Sequence, residues 1–335
     1  TGAGLRLHRR GDALRRAARS TPANRYDRRM CFSAQTVEAW RSFMRRMGVQ
    51  LSLDEFARLY GIRQSDAGIR IPKAMDAAFA APADAAERAI KAQIDAFDAR
   101  QAAAWEQQLF GQRRRLADAE RALQTKATKA AAEHRRIAGD KVQWLLGKLA
   151  DLRRSTLLPR DSRIFPGWYA PLIVSERGQR AALPMRYQCR PAGKPASYDR
   201  RYPGTYNARR NNLEGFWRGQ FGRTHGLLAV ERFFENVQRD GRNVVLEFAP
   251  ADQQPMLVAC LWSRWAGPEG ELLSFAAITD EPPPEVAAAG HDRCIIPIKP
   301  EHVDAWLNPD PHDLAASHAI LDDRQRPYYE HRLAA

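Results

Sequence analysis

The sequence predicts an α+β fold with a largely antiparallel β core and a long inserted helical hairpin. From Asp161 onward, β-branched or continuously apolar runs lie between turn residues, which is typical of strands. Residues 83–154 contain no proline and repeat apolar residues at helical spacing, which indicates long helices. No regular βαβ alternation appears, so a parallel sheet with crossover helices is not expected.

Length, charge and cysteine content limit the number of domains and the kinds of partner and cofactor that this protein is expected to have. The chain has 335 residues, which allows two or three domains or one large domain with an insertion. Its net charge of +14 indicates a polyanionic partner, most often nucleic acid. No apolar run approaches the about 18 residues of a membrane span, so no membrane partner is expected. None of the four cysteines forms a CxxC pair, so we expect no metal and no cofactor, and their wide spacing fits a reducing compartment.

The first 29 residues do not resemble folded protein. They contain nine arginines against two aspartates, and their few apolar residues are aperiodic. Such a segment is typical of a transit peptide or of a basic arm that binds nucleic acid. A third alternative, translation upstream of the true start, is the one we favour. Residues 1–29 are therefore interpreted as a disordered extension or an upstream artefact, with the native chain starting at Met30.

The dipeptide Met30-Cys31 is a candidate for a reactive N-terminus, because methionine before a small residue is commonly trimmed. Trimming leaves Cys31 with a free α-amine and a thiol, whose reference pKa values are about 7.7–8.0 and about 8.5. An amine and a thiol so placed can close a five-membered ring on an aldehyde. The alternative is that Cys31 is a small buried hydrophobic residue, as most free cysteines are.

Two short helices are predicted after this dipeptide. Residues 34–47 place their apolar side chains on one helical face and their arginines on the other. The segment Ser52–Glu55 has the pattern of a capping box, which opens a second helix. Gly61 is its predicted end.

The inserted hairpin is predicted over residues 83–155, with breaks at Gly111 and Gly139. It is interpreted either as a coiled coil that binds a protein partner or as a hairpin that packs only on itself. After it, the predicted strands cover residues 170–175, 226–230, 243–249, 256–262 and 272–279. Short helices are predicted over residues 210–220, 300–307 and 313–320.

A basic and aromatic segment spans residues 186–225. It has nine basic residues against two acids. Seven aromatic residues are interleaved with them: Tyr187, Tyr198, Tyr202, Tyr206, Phe216, Trp217 and Phe221. Arginines bind phosphates and aromatic rings stack on unpaired bases, so this segment predicts a groove for a single strand. The alternative is an ordinary solvated basic surface.

Three short motifs follow at intervals, and each is weak when taken singly. They are Tyr206-Asn207-Ala208-Arg209, Phe233-Phe234-Glu235 and His291-Asp292-Arg293. Together with Met30-Cys31, and in this order, they resemble the marks of the SOS response-associated peptidase (SRAP) family. The resemblance covers about residues 30–80 and 160–310. It leaves the helical hairpin outside the family's compact core.

The resemblance implies a DNA-damage response protein with an SRAP-type core formed by residues 30–82 and 156–335. Members of this family bind single-stranded DNA and trap its abasic sites covalently through a thiazolidine. The resemblance implies that Cys31 is the nucleophile, that Asn207 and Glu235 are active-site partners, and that His291 transfers protons. The residues expected to bind DNA are Arg186, Arg209, Arg210, Thr279 and Arg293.

Two other functions remain open at this point. One is a peptidase or amidase with an N-terminal nucleophile, which would use Cys31, Glu235 and His291 and could expose Cys31 by cleaving its own chain. The other is a noncatalytic adaptor that binds single-stranded DNA and docks an unknown protein through the hairpin. We expect a monomer in the cytoplasm, associated with the nucleoid when bound to DNA.

Overall fold

The structure is a computed structural model that describes residues 33–37, 39–239 and 241–334. Cys31 and the extension 1–29 lie outside the described residues. The strands in chain order are β1 (Ser33–Thr36), β2 (Gln50–Leu51), β3 (Arg163–Ile164), β4 (Tyr169–Glu176), β5 (Gln179–Tyr187), β6 (Asn207–Arg209), β7 (His225–Arg239), β8 (Arg242–Pro250), β9 (Met256–Gly267), β10 (Gly270–Asp280), β11 (Cys294–Ile295) and β12 (Tyr329–Leu333). The helices are α1 (Trp40–Arg46), α2 (Leu53–Ser65), α3 (Lys73–Ala77), α4 (Ala85–Thr125), α5 (Lys129–Arg153), α6 (Tyr198–Arg201), α7 (Pro284–Ala288), α8 (Val303–Leu307) and α9 (Leu314–Asp322).

Five long strands close into a barrel. β4 pairs with β7, β7 with β9, β9 with β10, β10 with β5, and β5 with β4. Four of these pairings are antiparallel, and only β5 with β10 is parallel. β1 and β8 add to β7 on the outside of this ring. The predicted α+β fold with a largely antiparallel core is confirmed.

Both faces of the barrel strands are buried, which explains why their sequences are continuously apolar rather than alternating. In β4 and β7, Leu172 and Leu228 belong to one hydrophobic cluster. Their neighbours Ile173 and Leu227 belong to a second cluster, which also contains side chains of the helices packed on the barrel. The N-terminal part of β7 therefore lies between two hydrophobic cores.

The long helical pair is present and its members run antiparallel. Asp84 accepts a hydrogen bond from the Glu87 amide at 2.9 Å, and Thr128 accepts one from the Ala131 amide at 3.1 Å, so both N-termini are capped. Leu109, Val142, Leu145 and Leu149 form the core between the two helices. That this pair is an insertion with boundaries at 83 and 155 remains a prediction.

The predicted breaks at Gly111 and Gly139 are wrong. Both glycines lie inside the helices α4 and α5, and the turn is at residues 126–128. A glycine in a helix costs only about 1 kcal/mol, which a long helix with many good helix formers tolerates. The turn itself contains neither glycine nor proline, so composition gave no sign of it.

The base of the helical pair is fixed to α2 and α3. The Arg63 guanidinium donates to both carboxylate oxygens of Asp76 at 3.0 Å and lies 4.0 Å from the centre of the Phe97 ring on α4. The Lys73 ammonium donates to the carbonyls of Asp151 and Leu152 at the end of α5. These contacts attach the helical pair, called the helical arm below, to the rest of the protein, called the body.

Several predicted boundaries need correction near the start of the chain. The helix predicted over residues 34–47 begins only at Trp40, because Ser33–Thr36 pairs with β7 as a strand. The second helix begins at Leu53 as predicted, but the Ser52 side chain makes no capping hydrogen bond. Gly61 does not end this helix, which continues to Ser65.

Later in the chain the strand predictions are correct in place and too short in extent. The helix predicted over residues 210–220 is wrong: only a single 3₁₀ turn, Arg210–Asn212, is present, followed by turns. The predicted helices over 300–307 and 313–320 correspond to a 3₁₀ turn followed by α8, and to α9. The strands β5 and β12 were not predicted.

His225 joins β7 to α8 and is a structural histidine. Its Nδ1–H donates to the Trp306 carbonyl at 3.0 Å, and its Nε2 accepts from the Gly222 amide at 2.8 Å. Its ring stacks on Trp306 with centroids 4.0 Å apart. Burial lowers the pKa of His225 to about 3, although the bond to the Trp306 carbonyl acts in the opposite direction. The folded protein therefore holds His225 neutral.

This histidine predicts acid sensitivity. Its folded pKa lies below the unfolded value of about 6.5, so its contribution to stability is complete above pH 6.5 and is lost as pH falls toward 3. Between pH 6 and pH 4 it should remove about 1.4 kcal/mol of unfolding free energy for each unit of pH. Denaturant titrations of wild type and His225→Phe at both pH values measure the difference. An equal fall in both proteins would contradict this account.

Candidate active site

Two buried ionisable side chains meet where β7 passes the segment before β11. The Nε2 of His291 lies 3.0 Å from the Oε2 of Glu235, and neither side chain has solvent-exposed surface. Glu235 lies within β7, opposite Leu246 of β8. Gly290, with a φ of +99°, makes the turn from α7 that delivers His291 to this position. The predicted active-site pair is thus brought together from positions 56 residues apart.

The His291 ring has polar neighbours on both of its nitrogens. Its Nδ1 lies 2.8 Å from the Arg293 carbonyl oxygen and 3.3 Å from the Arg293 amide nitrogen, so the tautomer decides whether Nδ1 donates or accepts. Its Nε2 faces the Glu235 carboxylate at 3.0 Å. Such a pair can donate a proton and take it back.

Asn207 and two of the predicted DNA-binding residues lie on adjacent parallel strands. In the register of β6 with β10, Asn207 is opposite Ala277 and Arg209 is opposite Thr279. Thr279 also pairs with Ile295 on its other side, four residues after His291. Asn207 and Thr279 are buried, whereas Arg209 is half-buried. The sheet thus places Asn207 and Thr279 on adjacent strands, and along the chain β10 is followed by α7 and then by His291.

The first described strand enters the sheet beside Glu235. Ser33, at the start of β1, lies opposite Phe234 in β7. The Arg163 Nε donates to the Ser33 hydroxyl at 3.1 Å, and the Arg163 guanidinium lies 3.6 Å from the centre of the Phe234 ring. Burial lowers the pKa of Arg163 below its usual value. Arg163 thus holds the beginning of β1 against the residue that precedes Glu235.

Sequence reasoning missed Arg163. Its contacts are Ser33, 130 residues earlier, and Phe234, 71 residues later. A lone arginine before an apolar run carries no local signal of such a role. The Phe233-Phe234-Glu235 motif was noticed, and it marks the other side of this contact.

The five predicted DNA-binding residues have different surroundings. Arg186 forms an ion pair with Asp199 at 2.8 Å. Arg210 forms ion pairs with Asp280 and Asp322. Burial opposes ionisation of Asp199, yet hydrogen bonds from Arg190 and Arg186 hold its pKa below the usual value. Phosphates at these arginines would have to compete with ionised carboxylates.

The predicted stacking of bases on the aromatic residues of the 186–225 segment is wrong for four of the seven. These four are buried in the core: Tyr187, Tyr198, Trp217 and Phe221. Tyr187, for example, stacks on Phe275 with centroids 5.2 Å apart. Phe216 is 42% exposed, and Tyr202 and Tyr206 are half-buried. An alternating basic and aromatic pattern did not distinguish rings that fill a core from rings that face solvent.

A cavity of about 880 Å³ is lined in part by both residues of β11. Cys294, Asp280, Arg210 and Tyr328 are among its lining residues, but Glu235 and His291 are not. Within the described ranges, no cluster of three histidine, cysteine, aspartate or glutamate side chains could hold a metal ion. Within the same part of the chain, no helix has the length and hydrophobicity of a membrane span.

The family model for SOS response associated peptidase (SRAP) matches residues 119–333. The chain belongs to this family. The SRAP match includes Asn207, Glu235 and His291, and it does not reach Cys31. It begins earlier than the resemblance around residue 160 suggested, within α4. The match supports a role related to DNA damage and an enzyme of the peptidase type.

Several solved structures are similar to this SRAP chain, among them the following three, and no curated protein matches it. A protein from Bordetella bronchiseptica is 20% identical with a TM-score of 0.44, and the similarity covers 52% of this chain and 87% of that one. A protein from Bacteroides thetaiotaomicron is 16% identical with a TM-score of 0.44, covering 52% of this chain and 78% of that one. A phage-related protein from Bordetella bronchiseptica is 19% identical with a TM-score of 0.40, covering 55% of this chain and 85% of that one.

Proposed function

We propose that this SRAP protein binds single-stranded DNA and crosslinks to its abasic sites through Cys31. The observation that carries the proposal is the buried Glu235–His291 pair beside the start of β1. Cys31 precedes Ser33 by two residues, and two residues of chain span at most about 7 Å. Ser33 lies opposite Phe234, the neighbour of Glu235 in β7, and the proposal therefore puts Cys31 beside the proton-transfer pair.

The chemistry needs proton transfers that this pair can supply. The ring-opened sugar of an abasic site presents an aldehyde. The α-amine of Cys31 adds to it and water leaves, which gives an imine. The thiolate then adds to the imine carbon, a C–S bond forms, and the nitrogen takes a proton, which completes the thiazolidine. Glu235 transfers protons during sugar opening and imine formation. His291 transfers protons to and from the sugar oxygen and the ring species.

The remaining predicted residues take supporting roles in this proposal. Asn207 orients the amine and the polar intermediates by hydrogen bonds, without a change of charge. Arg209 and Arg293, both half-buried, hold flanking phosphates. Arg186 and Arg210 join them if DNA displaces Asp199, Asp280 and Asp322 from their ion pairs. Autoproteolysis or methionine trimming would supply the free α-amine.

The alternative is that the same residues hydrolyse peptides or amides, as the family description suggests. In that reaction Cys31 forms a transient acyl intermediate. Glu235 and His291 then exchange protons with the water that hydrolyses it. The two reactions differ in their end point, because a crosslink consumes one protein for each DNA and hydrolysis turns over. An adaptor would bind DNA and do neither.

The test is a denaturing gel with three matched single strands. One carries an intact base, one an abasic site, and one an abasic site reduced to the alcohol. We expect a shifted band only with the unreduced abasic strand, because only it presents an aldehyde. No shifted band in any lane, combined with turnover of peptide substrates, would favour the hydrolase. Binding of the strands in native gels with neither outcome would favour the adaptor.

A further inference from the structure

The helical arm carries an apolar groove that the protein's own body does not cover. It lies between α4 and α5 and has a volume of about 530 Å³. Its lining residues are Glu106, Leu109, Phe110, Arg113, Leu146, Leu149, Ala150 and Arg153. On both helices these positions follow the spacing i, i+3, i+4, i+7, which is one continuous stripe along a helix. Phe110, at the centre of the groove, is 73% exposed, and Leu146 is 36% exposed.

This exposure is unusual for a side chain of that size. Of the seven exposed large hydrophobic residues in the described part of the chain, Phe110, Trp144 and Leu146 lie on the helical arm. In the part of the chain that the structure describes, the body holds the base of the arm through contacts such as those of Arg63 with Phe97 and of Lys73 with the end of α5. Two exposed apolar side chains in one groove indicate an interaction surface rather than isolated surface residues.

We infer, in place of the monomer expected from the sequence, that the groove binds the same groove of a second copy of this chain, so that two arms form an antiparallel four-helix bundle. A two-fold interface requires that if residue i contacts residue j, then j contacts i. On α4, Glu106 and Arg113 lie three and a half residues on either side of the midpoint between Leu109 and Phe110. An antiparallel α4–α4 pairing centred there places Glu106 of each copy against Arg113 of the other. The stripe is therefore complementary to itself in charge as well as in hydrophobicity.

The size of the surface fits a weak dimer. A pairing centred between Leu109 and Phe110 sets residue 101, the first beyond Arg100, against residue 118, so about 18 residues of each α4 overlap, or about 27 Å at 1.5 Å per residue. Two helices side by side are about 20 Å wide, so each copy offers roughly 540 Å². This is less than the about 800 Å² per partner of a standard interface and falls in the size range of weak complexes. The intramolecular pair of Glu106 with Arg153 is exposed and leaves the Glu106 carboxylate accessible.

The oligomeric state tests this inference, measured by sedimentation equilibrium on the full chain. We expect wild type to be dimeric at concentrations above about 10 µM, the weak end for an interface of this size. Phe110→Glu should be monomeric, because it places two charges at the centre of the interface. Trp144→Glu is the matched control, since Trp144 is 49% exposed but does not line the groove. It should remain dimeric.

A second pair of variants tests the proposed charge contact. Arg113→Glu should weaken the dimer roughly tenfold, because two symmetric attractions become repulsions. Arg114→Glu changes the net charge equally but lies outside the groove, so it should leave the dimer unchanged. Circular dichroism confirms that each variant keeps its helices. A monomeric wild type would overturn the inference, and so would a dimer that Phe110→Glu leaves intact.

Discussion

Replacing Cys31 by serine is expected to abolish durable adducts with abasic single-stranded DNA. Serine keeps the α-amine, so a transient imine still forms, but its hydroxyl is a far weaker nucleophile than a thiolate and does not close the ring. Cys31→Ala should behave in the same way. Heating the trapped product in denaturant and measuring the crosslinked fraction against time gives its lifetime.

Cys294 supplies the matched control for this variant. It lies three residues after His291 and is buried, and burial followed by the nearby Glu235 charge raises the pKa of its thiol well above the usual value. Such a thiol is not a nucleophile at neutral pH. Cys294→Ser should therefore retain crosslinking. An adduct of Cys31→Ser as durable as that of wild type would show that the thiazolidine is not the product.

The second large effect is expected at the buried proton-transfer pair. Glu235→Gln keeps the shape of the side chain and its capacity for hydrogen bonds, but it cannot take a proton. Crosslinking should slow by about 10²–10⁴-fold, as is typical when an acid–base group is lost. Single-turnover rates with abasic single-stranded DNA measure this. A rate within a few fold of wild type would remove Glu235 from the mechanism.

Replacing His291 is expected to change the reaction rates in a different way from replacing Glu235. Because His291 is proposed to serve the sugar oxygen and the ring species, His291→Ala should slow release of a preformed adduct more than it slows trapping. If His291 only packs beside Ile295 and Ile296, both rates would change in proportion to the unfolded fraction. Melting curves measured beside the two rates separate these cases. Wild-type rates in a stably folded His291→Ala would exclude His291 from proton transfer.

The sequence predicted those parts of the fold whose signal is local. The barrel strands β4, β7, β9 and β10, and β8 outside the ring, were located because buried faces leave continuous apolar runs. β1 was missed because it has only four residues and leads into a helix, while its partner β7 lies about 200 residues later. The turn at 126–128 was missed because nothing in its composition breaks a helix. For β1 the deciding interaction lies far away in the sequence, whereas for the turn no local signal exists.

In the candidate site, too, the sequence predicted features with a local signal and missed features that depend on distant contacts. Motifs and their order identified Glu235 and His291, and the fold brings them to 3.0 Å. Sequence did not reveal that Arg163 holds Ser33 against Phe234, or that Asp199 engages Arg186. It also could not separate core rings such as Trp217 from solvent-facing rings such as Phe216. Burial depends on the packing of distant elements, which a composition pattern does not contain.

The most direct test of the central proposal is the intact mass of the product formed with abasic single-stranded DNA, followed by peptide mapping. We expect protein plus DNA minus one water, with the DNA on a peptide that begins at Cys31. Borohydride should leave this mass unchanged, because a thiazolidine has no imine to reduce. A product that gains two hydrogens on borohydride treatment would be an imine. An adduct on another residue, or on a protein whose Cys31 amine is still in a peptide bond, would contradict the proposal.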